Sequence, residues 1–181
     1  MKKKPRNSIA LGIQELKEGR AGAFVSAGST GTVVAAATLG LRWTGTHAVD
    51  ALTWGWSAEY ARQRDHADNP RDFSHAYWLL EPSLQAKGVT WKLGWEHLGG
   101  DGTHALQTPL ATLHAFNGWD DKFLVTPAGG LEDVYAGAGG KAGQYTWAAT
   151  WHDYRADTPF AGIHHYGHEL DASLSRPLWK D

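Results

Sequence analysis

The sequence predicts a mainly β fold: an incomplete antiparallel up-and-down transmembrane β-barrel of about seven strands, preceded by a short α/β segment. Three observations carry that expectation. The apolar period changes from 3.6 to 2 near residue 40. Beyond that point the alternating segments run about ten residues, the length a tilted strand needs to cross a bilayer, where soluble strands usually run about five or six. Their connections also alternate between short and long, as in outer-membrane barrels with tight turns at one end and loops at the other.

Composition divides the chain at the same place. All ten Trp lie at or beyond Trp43 and all ten His at or beyond His47, whereas six of the 17 basic residues fall in the first twenty positions. We therefore divide the chain into residues 1–40 and 41–181. The net charge of −2 offers nothing to a polyanion, so no nucleic-acid partner is expected. The absence of Cys excludes disulfides, thiolate catalysis and Cys-ligated zinc.

In the front segment Ile9, Ile13 and Leu16 mark one face of a short helix, which Gly19 ends. Residues 23–27 read as an apolar strand, followed by Gly28, Ser29, Thr30 and Gly31 and an Ala/Val-rich helix over 32–39. Strand, glycine turn and helix direct backbone N–H groups toward an anion, so these four residues are a candidate anion-binding turn, with a plain connection as the simpler reading. The wording of residues 4–12, 17–21 and 24–31 resembles the bacterial phosphate acyltransferase of phospholipid synthesis. That resemblance implies an α/β enzyme making acyl-phosphate from acyl carrier protein thioesters and inorganic phosphate. It covers only residues 4–40, which cannot bury a core or assemble an active site, and Ser29 stands where the family often has Asn. A secretion signal over 2–41 fits poorly, because Ser26, Gly28, Ser29, Thr30, Gly31 and Thr32 interrupt the uncharged run and the charged lead is too long.

The main segment alternates strand by strand. Over 51–62, Leu52, Trp54, Trp56, Ala58 and Tyr60 share one face. Over 87–97, Val89, Trp91, Leu93 and Trp95 do so, and over 144–152, Tyr145, Trp147, Ala149 and Trp151. Near the end Leu170, Ala172 and Leu174 alternate with Glu169, Asp171, Ser173 and Ser175. Weaker alternation marks 39–43, 76–84 and 134–142. Short connections are expected at 44–50, 82–86 and 142–143, and long ones at 63–72, 98–132 and 157–168. Trp54, Trp56, Tyr60, Trp91, Trp95, Tyr145, Trp147 and Trp151 are the candidate membrane-interface aromatics. Arg42, Glu59, Lys92, Glu96, Lys141 and Glu169, on the opposite faces, are the candidate pore-lining residues.

The wording of residues 99–119, 131–135 and 152–157 resembles bacterial alginate-export-like porins. This resemblance spans about 140 residues. It implies an outer-membrane channel for anionic polysaccharide or other small polar solutes, with the lipid bilayer as partner and no cofactor. Members of that family carry a signal and further strands, which this chain departs from. Seven strands is also an odd number, and bacterial single-chain barrels close with an even one. The expectation is therefore a fragment or fusion product of such a porin, joined near residues 38–41.

Other constellations have simpler readings. His164, His165 and His168 are spaced for a small metal site, but a solvated loop accounts for them, and no metal is assigned. Asp101, Asp120 and Asp121 match no EF-hand spacing, and Asp153 and Asp157 flank Arg155 as strand-end charges. No Gly-x-Ser-x-Gly, Walker-type or His-Glu-x-x-His motif occurs, so an enzyme is not expected. The alternatives are an acyltransferase-related α/β protein and a soluble Trp-rich β-sheet that binds carbohydrate.

Overall fold

A computed structural model of the chain describes residues 36–65, 72–108 and 117–177. These residues form seven strands and no helix: β1 (Ala36–Val49), β2 (Leu52–Asp65), β3 (Ser74–Ala86), β4 (Val89–Leu98), β5 (Leu131–Ala142), β6 (Tyr145–Phe160) and β7 (Ile163–Ser175). Each strand pairs antiparallel with its sequence neighbours in one sheet, ordered β1 to β7. The up-and-down order is as the sequence predicts. The sheet is open, with β1 and β7 as its edges.

Three two-residue turns stand at one end. They are Asp50-Ala51, Lys87-Gly88 and Gly143-Gln144. Lys87 and Gly88 both have positive φ, 50° and 79°, the twist that lets a two-residue turn match the coiling of its strands. The expected short connections at 44–50 and 82–86 are thereby corrected. Both stretches are mostly strand, and Pro82 sits within β3 opposite Trp56. The reason is that register with β2 extends the ladder through Pro82 up to the Lys87-Gly88 turn, where the backbone reverses.

The opposite end carries residues 72–73, residues 99–108 and 117–130 of the long connection, and the turn Ala161-Gly162. The long loop expected at 157–168 is instead a hairpin tip. β6 continues to Phe160, and the ladder resumes at Phe160↔Ile163 beyond two register shifts. The helix expected over 32–39 is corrected for residues 36–39, which are strand paired with residues 62–65 of β2. Helix propensity is a weak prior that ladder pairing overrides. The rest of that reading, and the candidate anion-binding turn Gly28, Ser29, Thr30 and Gly31, lie outside the described residues.

The buried apolar cluster is small and lies to one side of the sheet. Leu98 and Leu131 pair across β4 and β5, and Leu106 and Phe123 from the 99–130 segment close over them with Tyr154. Tyr77 and Tyr166 flank the cluster. The described parts of the long connection are thus folded onto the same face that carries the charged residues.

Side-chain amides pin this loop. Gln63 on β2 donates to the Gln107 carbonyl and accepts from the Gln107 N–H, each at 2.9 Å. Gln107 in turn donates to the Thr126 carbonyl at 3.0 Å and accepts from the Thr126 N–H at 3.1 Å. Nearby, Asp101 Oδ1 accepts from the N–H groups of His104 and Thr103 and from the Thr103 hydroxyl. Those donors hold its carboxyl well below the usual carboxylate range. Because Gln63 is buried, Gln63→Ala is expected to cost about 1–3 kcal/mol, the penalty for unpaired buried polar groups. Limited proteolysis should then cut the 99–130 segment faster than in the parent chain, while the sheet's circular dichroism stays unchanged.

Candidate functional site

The two faces of the sheet differ in kind. One face leaves Leu41, Trp43, Leu52, Trp54, Tyr60, Leu80, Trp91, Leu93, Trp95, Val134, Trp151, Leu170 and Leu174 exposed. Leu93 is 62% exposed and Leu170 71%, although both lie mid-strand in one lateral row, Leu93↔Ala136↔Trp151↔Leu170. Two shallow apolar grooves run across this face. The first is lined by Trp54, Trp91 and Trp151, the second by Tyr60, Trp95 and two indoles the sequence reading passed over, Trp43 and Trp78. Trp56 lies 5.5 Å from Trp43, ring to ring. Trp147 pairs with Leu174 and Tyr145 with Ala142 nearer the short turns.

The other face is charged. Arg42, Glu59, Lys92 and Glu96, the expected pore-lining residues, lie together in one cleft there with Tyr77, Glu81, Asn117, Asp133, Tyr135, His152 and Asp171. Register brings them together: Arg42↔Glu59 pair across β1 and β2, and Glu96↔Asp133 across β4 and β5. Glu169 lies in an adjoining cleft with Asp171 and Tyr154. Lys141 shares the parity of Asp133 and Tyr135 but sits exposed beside the Gly143-Gln144 turn, away from the cleft.

The cleft groups are extensively paired. Arg42 lies 3.4 Å from Glu59 and Lys92 3.4 Å from Glu81. Tyr77 and the Asn117 amide each donate to Glu96 at 2.7 Å. His152 Nδ1 sits 2.9–3.0 Å from both oxygens of Asp133, which is 0% exposed, and its Nε2 faces Asp171 at 3.6 Å. Tyr154 donates to the Asn117 carbonyl at 2.8 Å, and Glu169 accepts from the Asp120 N–H. Asn117 and Asp120 belong to the long loop, so the loop is stitched directly to the charged wall.

Gly94 makes one of these links. The Tyr135 ring lies flat across it, where any Cβ would collide with the ring. That crossing carries the Tyr135 hydroxyl over β4 to donate to Glu81 on β3 at 2.7 Å. Glu81 escaped the sequence reading because it stood beside a presumed turn at 82–86. The Lys87-Gly88 pair was the signal that would have placed it on the charged face. Asp133, His152 and Asp171 were legible as alternating polar positions, but only register makes them neighbours.

The histidine reading is also corrected. His165 and His168 lie on β7 rather than in a loop, and both face Asp153; His164 does not join them. Residues three apart on a regular strand face opposite sides. The register shift opposite Tyr154/Arg155 leaves Tyr166 as an extra residue, so both imidazoles reach the same carboxylate. Arg155 closes that cluster at 2.6 Å from Asp153. Asp157, expected to be a strand-end charge, instead accepts from the Gly100 N–H at 3.0 Å.

No family model matches the chain, and no curated protein and no solved structure matches it either.

Proposed function

We propose that the seven strands form part of the wall of a bacterial outer-membrane β-barrel that passes small polar solutes by diffusion. The observation that carries this reading is the arrangement of the two faces. The aromatic and aliphatic side chains lie uncovered, while the charged residues line a cleft with a loop folded over it. In water an uncovered apolar face of this extent marks an interaction surface or an aggregation liability. Against hydrocarbon it is the favourable arrangement, and Trp and Tyr favour the headgroup level. On β2 the apolar positions run from Leu52 to Tyr60, close to the 9–11 residues a tilted spanning strand needs. In lipid, the free edges of β1 and β7 must find strand partners, because each unpaired backbone group there costs several kcal/mol.

The cleft favours polar traffic. Arg42 and Lys92 are each held by a carboxylate, while Glu96, Asp133 and Asp171 add further acidic groups. A lining of this balance favours cations over this stretch of wall. The porin resemblance implies an anionic solute such as a polysaccharide instead, which would have to draw Arg42 and Lys92 away from Glu59 and Glu81. No enzymatic step is proposed, because the cleft's acidic and imidazole groups are engaged with one another and with the loop.

The test is partitioning combined with fluorescence. In vesicles with brominated acyl chains, the Trp emission should be strongly quenched, and the chain should need detergent to remain dispersed. Once partner strands close the edges of β1 and β7, planar bilayers should show conductance with a cation preference that falls in Glu96→Gln. A monomeric chain, soluble without detergent and with unquenched Trp, would overturn the proposal. It would favour the soluble carbohydrate-binding sheet, for which the Trp54, Trp91 and Trp151 groove would be the platform.

A further inference from the structure

At the loop-bearing end of the outward face, one row above Trp95, three side chains of ligand type converge. His97 on β4 and Glu132 on β5 are direct register partners, and Asp157 follows on β6. His97 Nδ1 lies 3.6 Å from Glu132 Oε1 and 3.8 Å from Asp157 Oδ1, and the three donor atoms all fall within 4.8 Å of one another. These separations are too long for hydrogen bonds. They are close to the spacing of donors around one cation: bonds of about 2.0–2.2 Å in tetrahedral geometry put neighbouring donors roughly 3.4 Å apart.

A second observation points the same way. His97 is only 5% exposed, and its Nδ1 is buried without a hydrogen-bond partner among the described residues. Buried polar atoms are paired in the great majority of cases, and an exception calls for a ligand, water or ion. The imidazole is also fixed in orientation. It stacks on Trp78 with ring centroids 4.0 Å apart and 11° between planes. Asp157 is fixed too. Its Oδ2 accepts from the Gly100 N–H, and the next residue, Thr158, donates its hydroxyl to the Gly100 carbonyl and its N–H to the Gly129 carbonyl, both at 2.8 Å. The other carboxylate oxygen, Oδ1, is the one turned toward His97. Arg155, the register partner of Glu132, is directed to Asp153 at 2.6 Å. It therefore does not neutralise this trio.

We propose that His97, Glu132 and Asp157 bind a divalent transition-metal ion of the zinc class, with the remaining coordination position open to water. One imidazole and two carboxylates form a mixed donor set that suits Zn²⁺ and its Co²⁺ surrogate better than Mg²⁺, which prefers all-oxygen surroundings. Such an ion would tie β4, β5 and β6 to the base of the 99–130 loop through Gly100 and Gly129. The hydrogen bond to Asp157 from the loop backbone supplies the outer support that metal ligands commonly have. The Asp153, His165 and His168 group is the weaker candidate, because Asp153 is already satisfied by both imidazoles and Arg155. The proposal does not depend on whether the outward face meets lipid.

The experiment titrates the full chain, folded in detergent, with Co²⁺ and follows visible d–d absorption. One equivalent is expected to bind, to be displaced by Zn²⁺ and to persist in excess Mg²⁺. His97→Gln and Glu132→Gln should each weaken binding at least tenfold. His165→Ala combined with His168→Ala should leave it unchanged. Circular dichroism checks each variant for folding, and Glu132→Gln, at a half-exposed position, serves if His97→Gln does not fold. Absence of a Co²⁺ spectrum at millimolar metal overturns the proposal. So does a spectrum that survives loss of His97 and Glu132 but vanishes with His165 and His168, which would assign the metal to the Asp153 group instead.

Discussion

On the proposed channel reading, Leu93→Arg is expected to lower the stability of the chain folded into lipid vesicles by about 2–4 kcal/mol, the cost of a cationic side chain on a lipid face near the bilayer midplane. Leu93 is 62% exposed and lies mid-strand on β4, in a row completed by Ala136, Trp151 and Leu170. An equally exposed leucine on a water-facing surface would respond within about 0.5 kcal/mol. The two environments therefore predict effects several-fold apart for one substitution. Denaturant titration of folding in large unilamellar vesicles measures it. Val89→Arg, beside the Lys87-Gly88 turn, should cost about 1 kcal/mol or less, since the penalty falls toward the interface. A flat response at both positions would mean that this face is wetted, and the channel proposal would fail with it.

Tyr154→Ala is expected to cost about 3–5 kcal/mol, the range for removing a buried aromatic ring. Tyr154 is 1% exposed, packs edge-on to Phe123 with centroids 4.7 Å apart, and donates to the Asn117 carbonyl. Three effects are lost together: apolar burial, an aromatic pair and the hydrogen bond that holds the loop to the charged wall. Tyr154→Phe separates them. It keeps the ring and loses only the hydroxyl, so about 0.5–1.5 kcal/mol should go. On the channel proposal, the functional readout is conductance of the closed barrel. If the 99–130 loop narrows the cleft, Tyr154→Ala should raise single-channel conductance and Tyr154→Phe should leave it closer to the parent value. Equal stability losses in the two variants would show that the ring contributes little and that the hydroxyl alone anchors the loop.

Much of the fold was legible because a strand exposes its environment every second residue. Leu52, Trp54, Trp56, Ala58 and Tyr60 announce one face without reference to anything distant, and the same holds for Val89, Trp91, Leu93 and Trp95. The turns were legible only where their chemistry is local. Gly143 was found, but Asp50-Ala51, Lys87-Gly88 and Ala161-Gly162 were missed. At 82–86 a proline outweighed the continuing alternation, and at 157–168 a run of glycine and histidine resembled a loop. The helix assigned to 32–39 failed over 36–39 because Ala and Thr are compatible with either state until a partner strand is present.

The charged cleft was half visible. Arg42, Glu59, Lys92 and Glu96 alternate with apolar neighbours, so their side of the sheet follows from parity alone. Parity is silent on which of them touch. Glu81 meets Tyr135 only because Gly94 lets a ring cross β4, and Asn117 meets Glu96 only because the loop folds back over β4. His97, Glu132 and Asp157 are likewise 25 to 60 positions apart in the chain and adjacent only through register.

Strand identity, the two-faced character of each strand and the order of the meander are written in the local pattern of residues, because alternation and chain direction act over a few positions. Register, the bulge that turns His165 and His168 to one side, and the seating of the loop on the charged face arise only when distant segments compete for the same hydrogen bonds and the same volume. Those are long-range choices, so they belong to the assembled sheet.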